Sequence, residues 1–530
     1  MHRIEQDHVA EWSFTSSGGH ADPFNDVSLD VLVETPGGRS LRVPAFWSGG
    51  NYWRVRYSSP ETGTHRWRSE CSDTSDSGLH DRSGELEVIP YKGNNPLYAH
   101  GALCTSDNKR HFTHADGTPF LWLGDTWWMG LCSRMRWPED YQALVADRVR
   151  KGFSVIQIVA GLNPDMPSFD ERGRNEAGFP WEEDYARINP AYFDLADMRI
   201  QHLVEKGLVP CILGCWGYYL LVMGVEKMKQ HWRNLVARYG AYPVVWCMAG
   251  EGIMPYYLSE DREGDRDSQC KGWTEVASSV RATDPYGRLI TIHPTDAGRN
   301  QVEDPSVLDF DMLQTGHGDR ASIPNTIRRV TEACARQPTM PVINGEVCYE
   351  GIGEACRQEV QRFMYWICML SGACGHTYGA NGIWQVNRAG KPYGPSPRGR
   401  SWGHTPWDEA AALPGSTQLG LAKQFLEKYP WWQIEPHTEW VDGHATDEKI
   451  FAPYSAGIPR SLRLIFLPSG IWGITVNLLE ADVTYRAFLF DPVTGDETDL
   501  GSVEPDASGS WTLPGVTPIF QDWVLVLETT

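Results

Sequence analysis

From about residue 10 to residue 90, apolar and polar positions alternate in short runs: Val-Ser-Leu-Asp-Val-Leu-Val at 27–33, Leu-Arg-Val-Pro-Ala-Phe at 41–46 and Tyr-Trp-Arg-Val-Arg-Tyr at 52–57. Glycine-rich turns at 36–38 and 48–51 separate them. A period of two interrupted by such turns predicts antiparallel strands with one buried face, arranged as an immunoglobulin-type β-sandwich. After a linker near 91–96 the period changes. Short β-branched runs at 120–123, 155–159, 209–213, 244–248, 289–292, 312–314, 341–343 and 376–378 read as eight buried strands. Amphipathic stretches at 138–151, 193–206, 225–239, 268–282, 325–336 and 355–370 fall between them, with a last helix at 418–428. Pro138 followed by Glu139 and Asp140 suits a helix start, where a missing N–H costs nothing and acids meet the positive end of the dipole. Repeated strand–helix units of this number predict a (β/α)8 TIM barrel. Alternation returns at 461–466, 473–477, 485–490 and 523–527, predicting a second β-sandwich. The expected domains are therefore 1–92, 93–432 and 433–530.

In a TIM barrel the residues that follow each strand form the active face. Two runs end in Gly-Glu there: Val-Val-Trp-Cys-Met-Ala-Gly-Glu closing at Glu251, and Pro-Val-Ile-Asn-Gly-Glu closing at Glu346. Cleaving a glycosidic bond needs such a pair, one carboxyl to protonate the departing oxygen and one to attack or stabilise the cationic sugar carbon. Either acid alone reads equally well as a solvated cap or an ion-pair partner. Around them stand Asp125, Gln157, His293, Gln314 and His317, polar groups able to grip hydroxyls, and Trp127, Trp216 and Trp384, whose faces suit the C–H side of a sugar. Trp128, Tyr349 and Tyr378 occupy the same strand ends. Glu350, four residues beyond Glu346, is the rival nucleophile; past Tyr349 it is expected to act from behind or to bind a hydroxyl.

Charge and composition narrow the partners. With 68 acidic against 47 basic residues the net charge is -21, which disfavours nucleic acid or an anionic membrane as a partner. The 23 tryptophans exceed what packing requires and suit sugar stacking, although many are expected in the sandwich cores. The 12 cysteines form no Cys-x-x-Cys pair, and eleven lie between Cys104 and Cys374, as small buried hydrophobes do in a reducing compartment. The N-terminus lacks a signal-type apolar stretch and no run is long enough for a membrane helix, so the expectation is a soluble, cytoplasmic chain, or a secreted one had a leader been removed. No cofactor is called for. The absence of His-x-His or His-Glu-x-x-His spacing weighs against a metal-dependent hydrolase.

The order Trp-Leu-Gly-Asp-Thr-Trp-Trp from 122, Gly-Phe-Ser-Val-Ile-Gln from 152, Trp-Cys-Met-Ala-Gly-Glu from 246, Tyr-Glu-Gly from 349, Gly-Ile-Trp from 382 and Gly-His-Thr-Pro-Trp-Asp-Glu-Ala from 403 resembles the apiosidase-like glycoside hydrolases. The resemblance spans nearly the whole chain, since that family often carries an N-terminal sandwich and a C-terminal one sometimes labelled collagen-binding. It implies Glu251 as general acid/base and Glu346 as nucleophile of a retaining hydrolase acting on a plant- or bacterial-polysaccharide-derived glycoside. Two features depart from the pattern: relatives often have Asp at the position of Glu251, and Gly250 stands where many retaining barrel glycosidases place the Asn that binds a sugar 2-hydroxyl. Retention would require carboxyl groups about 5 to 5.5 Å apart, inversion roughly 6.5 to 9.5 Å. The rival class is a non-catalytic carbohydrate-binding or adhesin-like protein that uses the barrel as scaffold.

Overall fold

The structure is a computed structural model that describes residues 2–469 and 473–530. Eight parallel strands form one sheet: β1 (Trp122–Trp127), β2 (Val155–Val159), β3 (Val209–Leu213), β4 (Val245–Cys247), β5 (Ile290–Thr291), β6 (Asp311–Gln314), β7 (Val342–Glu346) and β8 (Gly375–Tyr378). The sheet runs β5-β4-β3-β2-β1-β8-β7-β6. Its seam, between β5 and β6, is closed by loop and side-chain bonds: Asp309 N to Ile290 O at 2.8 Å, Ile290 N to Asp309 Oδ2 at 2.7 Å and Thr291 Oγ1 to Phe310 O at 3.0 Å. This is the expected TIM barrel. Strands covered on both faces read as unbroken apolar runs, and β2 and β3 are buried along their whole length.

Helices α1 (Glu139–Arg150), α2 (Pro190–Glu205), α3 (Val225–Tyr239), α4 (Arg262–Thr283), α5 (Ile323–Ala335), α6 (Gln358–Leu370) and α7 (Pro414–Leu426) surround it. The short connection from β5 to β6 carries only 3₁₀ turns, at Gly298–Asn300 and Pro305–Val307. Many boundaries shift by a few residues from expectation, and three of the shifts are instructive. β1 begins at Trp122 and runs through Asp125 because the buried carboxylate finds a buried Arg148, while Pro119–Phe120 pairs with Phe112–His114 in a small antiparallel sheet. β7 extends to Glu346. α4 starts earlier than its apolar period suggests, because its first turn is polar and the Asp261 side chain caps it by accepting from Gly264 N at 3.0 Å.

The two sandwiches are attached by different physics. The N-terminal one pairs a five-stranded sheet (His2–Glu5, Ser83–Ile89, Gly63–Cys71, Leu29–Glu34, Ser40–Pro44) with a three-stranded sheet (Ala10–Thr15, Tyr52–Tyr57, Phe46–Trp47) over a separate core that includes Leu29, Val31, Trp53 and Val88. Polar bonds join it to the barrel: buried Arg56 meets Asp197 at 2.5 Å and donates to Arg238 O at 2.8 Å, and Ser58 Oγ donates to Ala241 O at 2.6 Å. The C-terminal one comprises six strands, from Glu435–Pro436 to Trp523–Thr529, and a two-stranded sheet of Thr475–Val476 and Trp511–Thr512. Its Phe466, Phe488, Phe490, Val524 and Val526 merge with the barrel's own core, with Phe490 stacked on Phe425 of α7 at 4.2 Å. Arg362 of α6 reaches across to Asp522 with two bonds of 2.8 and 2.5 Å.

Tryptophan is distributed otherwise than the sequence suggests. Among the described residues each sandwich core holds one buried tryptophan, Trp53 and Trp523, whereas eleven belong to the barrel core. Three of the eleven, Trp128, Trp216 and Trp384, stand at the barrel mouth, and the others are large apolar rings packed in its core.

Candidate active site

Glu346 is the last residue of β7, buried except for a small face. Its strand presses close on β6, since a Cβ on Gly345 would stand 2.3 Å from Met312. The β6–β7 register slips between Leu313 and Gln314, which sets Gln314 opposite Glu346. Two histidines, one after β5 and one after β6, flank the carboxylate: His293 Nε2 lies 2.9 Å from Oε2, and His317 Nε2 lies 2.8 Å from Oε1. Gln314 Nε2 adds a bond to Oε1 at 3.2 Å.

Glu251 is held differently. β4 ends at Cys247, but the next residues stay bonded to their neighbours, Gly250 N to Cys215 O at 2.8 Å and Gly217 N to Gly250 O at 2.7 Å. The chain then turns at Glu251 with φ of 45°, a left-handed conformation costly for a residue with a Cβ. A Cβ on Gly250 would lie 2.3 Å from the Trp216 ring, so the indole occupies the space that an Asn side chain would need. Trp216 Nε1 donates to Glu251 Oε2 at 3.3 Å and Gln314 Nε2 to Oε1 at 3.1 Å, while the Glu251 N–H points to His293 Nδ1 at 3.4 Å. Gln314 therefore bridges the two acids. Their Oε1 atoms can be no further apart than 3.1 Å plus 3.2 Å.

These surroundings split the acidity of the pair. Burial raises the Glu251 pKa and the charge of Glu346 raises it further, against the weaker pull of the Gln314 bond. Burial also opposes ionisation of Glu346, but the charge and bonds of His293 and His317 outweigh it and hold its pKa at about 2. Burial disfavours a proton on His317 too, yet its contact with Glu346 leaves its pKa raised. The site thus makes Glu346 the stronger and Glu251 the weaker acid of the pair.

Both acids open on one small cavity. Of the residues expected from the sequence, Trp128, Trp216, His317, Tyr349 and Trp384 line it with the two acids. His293 and Gln314 stand behind the acids as their partners. Five others lie elsewhere. Asp125 is fully buried against Arg148 at 2.6 Å and accepts from Trp127 Nε1 at 2.8 Å; both groups are occupied inside the barrel wall, and Trp127 packs edge-on against Tyr141. Gln157 donates to Gly345 O at 3.0 Å within the barrel interior. Glu350 turns outward, accepting from Tyr378 Oη at 2.5 Å and from Gly415 N, so neither Glu350 nor Tyr378 reaches the cavity. Each of these five satisfies a buried polar group, a role that sequence position alone cannot separate from ligand binding.

The roof comes from long loops that carry no period. Pro164 and Asp165 after β2, Tyr257 after β4, Ile352 after β7 and Trp402 after β8 complete the lining. Asp165 Oδ1 accepts from Tyr257 Oη at 2.5 Å and Oδ2 from Trp402 Nε1 at 2.7 Å. Among the described residues no group of three or more histidine, cysteine, aspartate or glutamate side chains is arranged to hold a metal ion, and no helix is long and apolar enough to cross a membrane.

The barrel and its cleft with paired carboxylates are those of a glycoside hydrolase. Residues 106–433 match the family model described as "Apiosidase-like, catalytic domain", well over half of the chain, so the protein belongs to the apiosidase-like family. Residues 3–72 match "Domain of unknown function (DUF5060)". No curated protein matches the chain. Among solved structures, a glycoside hydrolase is 23% identical with a TM-score of 0.69, covering 82% of this chain and 98% of its own. A glycoside hydrolase family 5 protein from Bacteroides vulgatus ATCC 8482 has the same identity and TM-score, covering 82% and 95%. Another protein of that organism, provisionally named a glycoside hydrolase, is 18% identical with a TM-score of 0.73 over the whole of both chains. At these identities the likeness is one of fold.

Proposed function

We propose that the protein is a retaining glycoside hydrolase acting on a glycoside derived from plant or bacterial polysaccharide, apiosidase-like or another furanosidase or exo-glycosidase, with Glu251 as general acid/base and Glu346 as nucleophile. The observation that carries this reading is two carboxylates opening on one pocket and bridged by Gln314, one flanked by two histidines and the other by neutral donors. Ionised Glu346 attacks the anomeric carbon as the glycosidic C–O bond breaks, and the Glu251 proton passes to the leaving oxygen. Water then attacks the same carbon, its proton goes to Glu251, and the ester bond to Glu346 breaks. The Gln314 amide, bonded to one oxygen of each acid, draws the two carboxyl groups together, which supports the shorter separation of a retaining pair.

The sign of the pH dependence follows. Activity falls on the acid side as Glu346 takes a proton, with a pKa of about 2, and on the alkaline side as Glu251 loses its own above the ordinary carboxylate value. The test is Glu346→Gln: loss of turnover with sugar binding retained supports the assignment, and full activity refutes it.

A further inference from the structure

The cavity contains a third carboxylate for which the two-acid mechanism has no use. Asp165 is 7% exposed and lines the same cavity as Glu251 and Glu346. A carboxylate offers about four acceptor positions. Two are taken, one on each oxygen, by Tyr257 and Trp402, which arrive from different loops. The residue also has φ of 57°, so the loop after β2 adopts a less favoured backbone conformation where it presents this side chain. Burial raises its pKa against the bonds from Tyr257 and Trp402, and its charge is in turn one of the causes that raise the pKa of Glu251. A structural peg between two donors would not need to stand in the substrate cavity beside another acid.

Among the described residues, no lysine or arginine lines the cavity. Arg400 lies over the Trp402 ring at 3.9 Å, and Arg172 donates to the backbone oxygen of Asp165 at 3.2 Å; neither forms part of the wall. His317 is committed to Glu346. Beside its acceptors and aromatic faces the wall carries the unpartnered Trp384 Nε1 as a donor, and among the described residues no free cation.

We infer that Asp165 is a specificity-determining residue, accepting hydroxyl hydrogens from the sugar unit beside Glu346, and that the pocket selects neutral sugars over uronic acids. This rests on the glycosidase reading for the sugar's placement, though not for its binding. A hydroxyl can donate to the free positions on Asp165, whereas a uronate carboxylate entering the cavity would meet Asp165 and Glu346 with no cation to pair with.

The test uses para-nitrophenyl glycosides of neutral pentoses and hexoses together with para-nitrophenyl glucuronide and galacturonide. Turnover is measured on the wild type and Asp165→Asn, and binding by saturation-transfer NMR on Glu346→Gln and Glu346→Gln/Asp165→Asn. Expected are binding of at least one neutral glycoside, no detectable binding of either uronide, and affinity weakened roughly 10- to 100-fold by Asp165→Asn. Monodeoxy analogues of the bound glycoside supply a readout that a purely structural role would not move: removing the hydroxyl that faces Asp165 weakens binding to Glu346→Gln and leaves the double variant unchanged. Uronides binding as tightly as neutral sugars, equal losses for every deoxy analogue in both proteins, or no binding of any neutral glycoside would overturn the inference. The uronide comparison needs no change at Asp165 and stands if Asp165→Asn fails to fold. Neutral-selective binding without hydrolysis would sink the glycosidase reading alone, whereas hydrolysis of uronides would sink this inference alone.

Discussion

The end of β7 and the end of β4 each present a glutamate to the same cavity, and they do so by opposite means. Glu346 finishes a regular strand, with two imidazoles and an amide gathered around its oxygens. Glu251 stands past the end of its strand in a left-handed turn, with only neutral donors on its carboxyl group. Glu346 is buried and Glu251 half-buried, yet the surroundings of the first favour its anion and those of the second its acid form. Burial alone sets no role; what decides it is whether positive charge accompanies the burial.

Breaking the Glu346 side should cost the most. Glu346→Gln is expected to lower kcat on the order of 10⁴-fold or more, the scale on which loss of a covalent nucleophile is felt, with the fold retained by circular dichroism. The same variant removes the charge that helps raise Glu251, so a carboxyl NMR titration should find the Glu251 pKa lower than in the wild type. Glu251→Gln should cost about 10²- to 10⁴-fold on glycosides with poor leaving groups and far less on activated aryl glycosides, whose leaving oxygen needs no proton. Equal losses on both substrate types would contradict the acid role.

His317→Ala sharpens the contrast at smaller amplitude. With one imidazole gone, the Glu346 pKa rises, and the acid limb of the kcat/KM profile moves to higher pH. Every tenfold gain in the proton affinity of Glu346 corresponds to about 1.4 kcal/mol less stabilisation of the anion. An unmoved limb would mean that the histidine pair does not set the nucleophile's charge. Least affected in turnover should be Asp522→Asn, far from the pocket. It leaves Arg362 charged and buried at the joint between barrel and C-terminal sandwich, for an expected loss of about 3 to 5 kcal/mol of stability, read as a lower Tm with kcat unchanged.

The architecture was largely legible because the periods differ so sharply between sandwich and barrel. Parallel strands covered on both sides are written as β-branched runs, and β2 and β3 match the predicted ranges residue for residue. Both glutamates could be picked out by position, since residues after barrel strands face the mouth. Burial partners were not legible. Asp125 and Glu350 looked like cleft acids, but Arg148 and Tyr378 hold them inside the wall, and nothing in the local sequence reveals a partner 23 or 28 residues away. Asp165 and Tyr257 were missed, and the reach of Trp402 could not be read, for the complementary reason: they sit on loops without periodicity and acquire meaning only where those loops meet. Gly250 shows the intermediate case. Its departure from a familiar pattern could be seen in the sequence, and its cause, the Trp216 ring lying where a side chain would go, could not.

The most direct measurement is covalent trapping. A 2-deoxy-2-fluoro glycosyl fluoride of the sugar that the enzyme turns over should accumulate as a glycosyl ester, and peptide mapping by mass spectrometry should place it on Glu346. A label on Glu251 or Glu350, or release of an inverted product with no ester formed, would contradict the account.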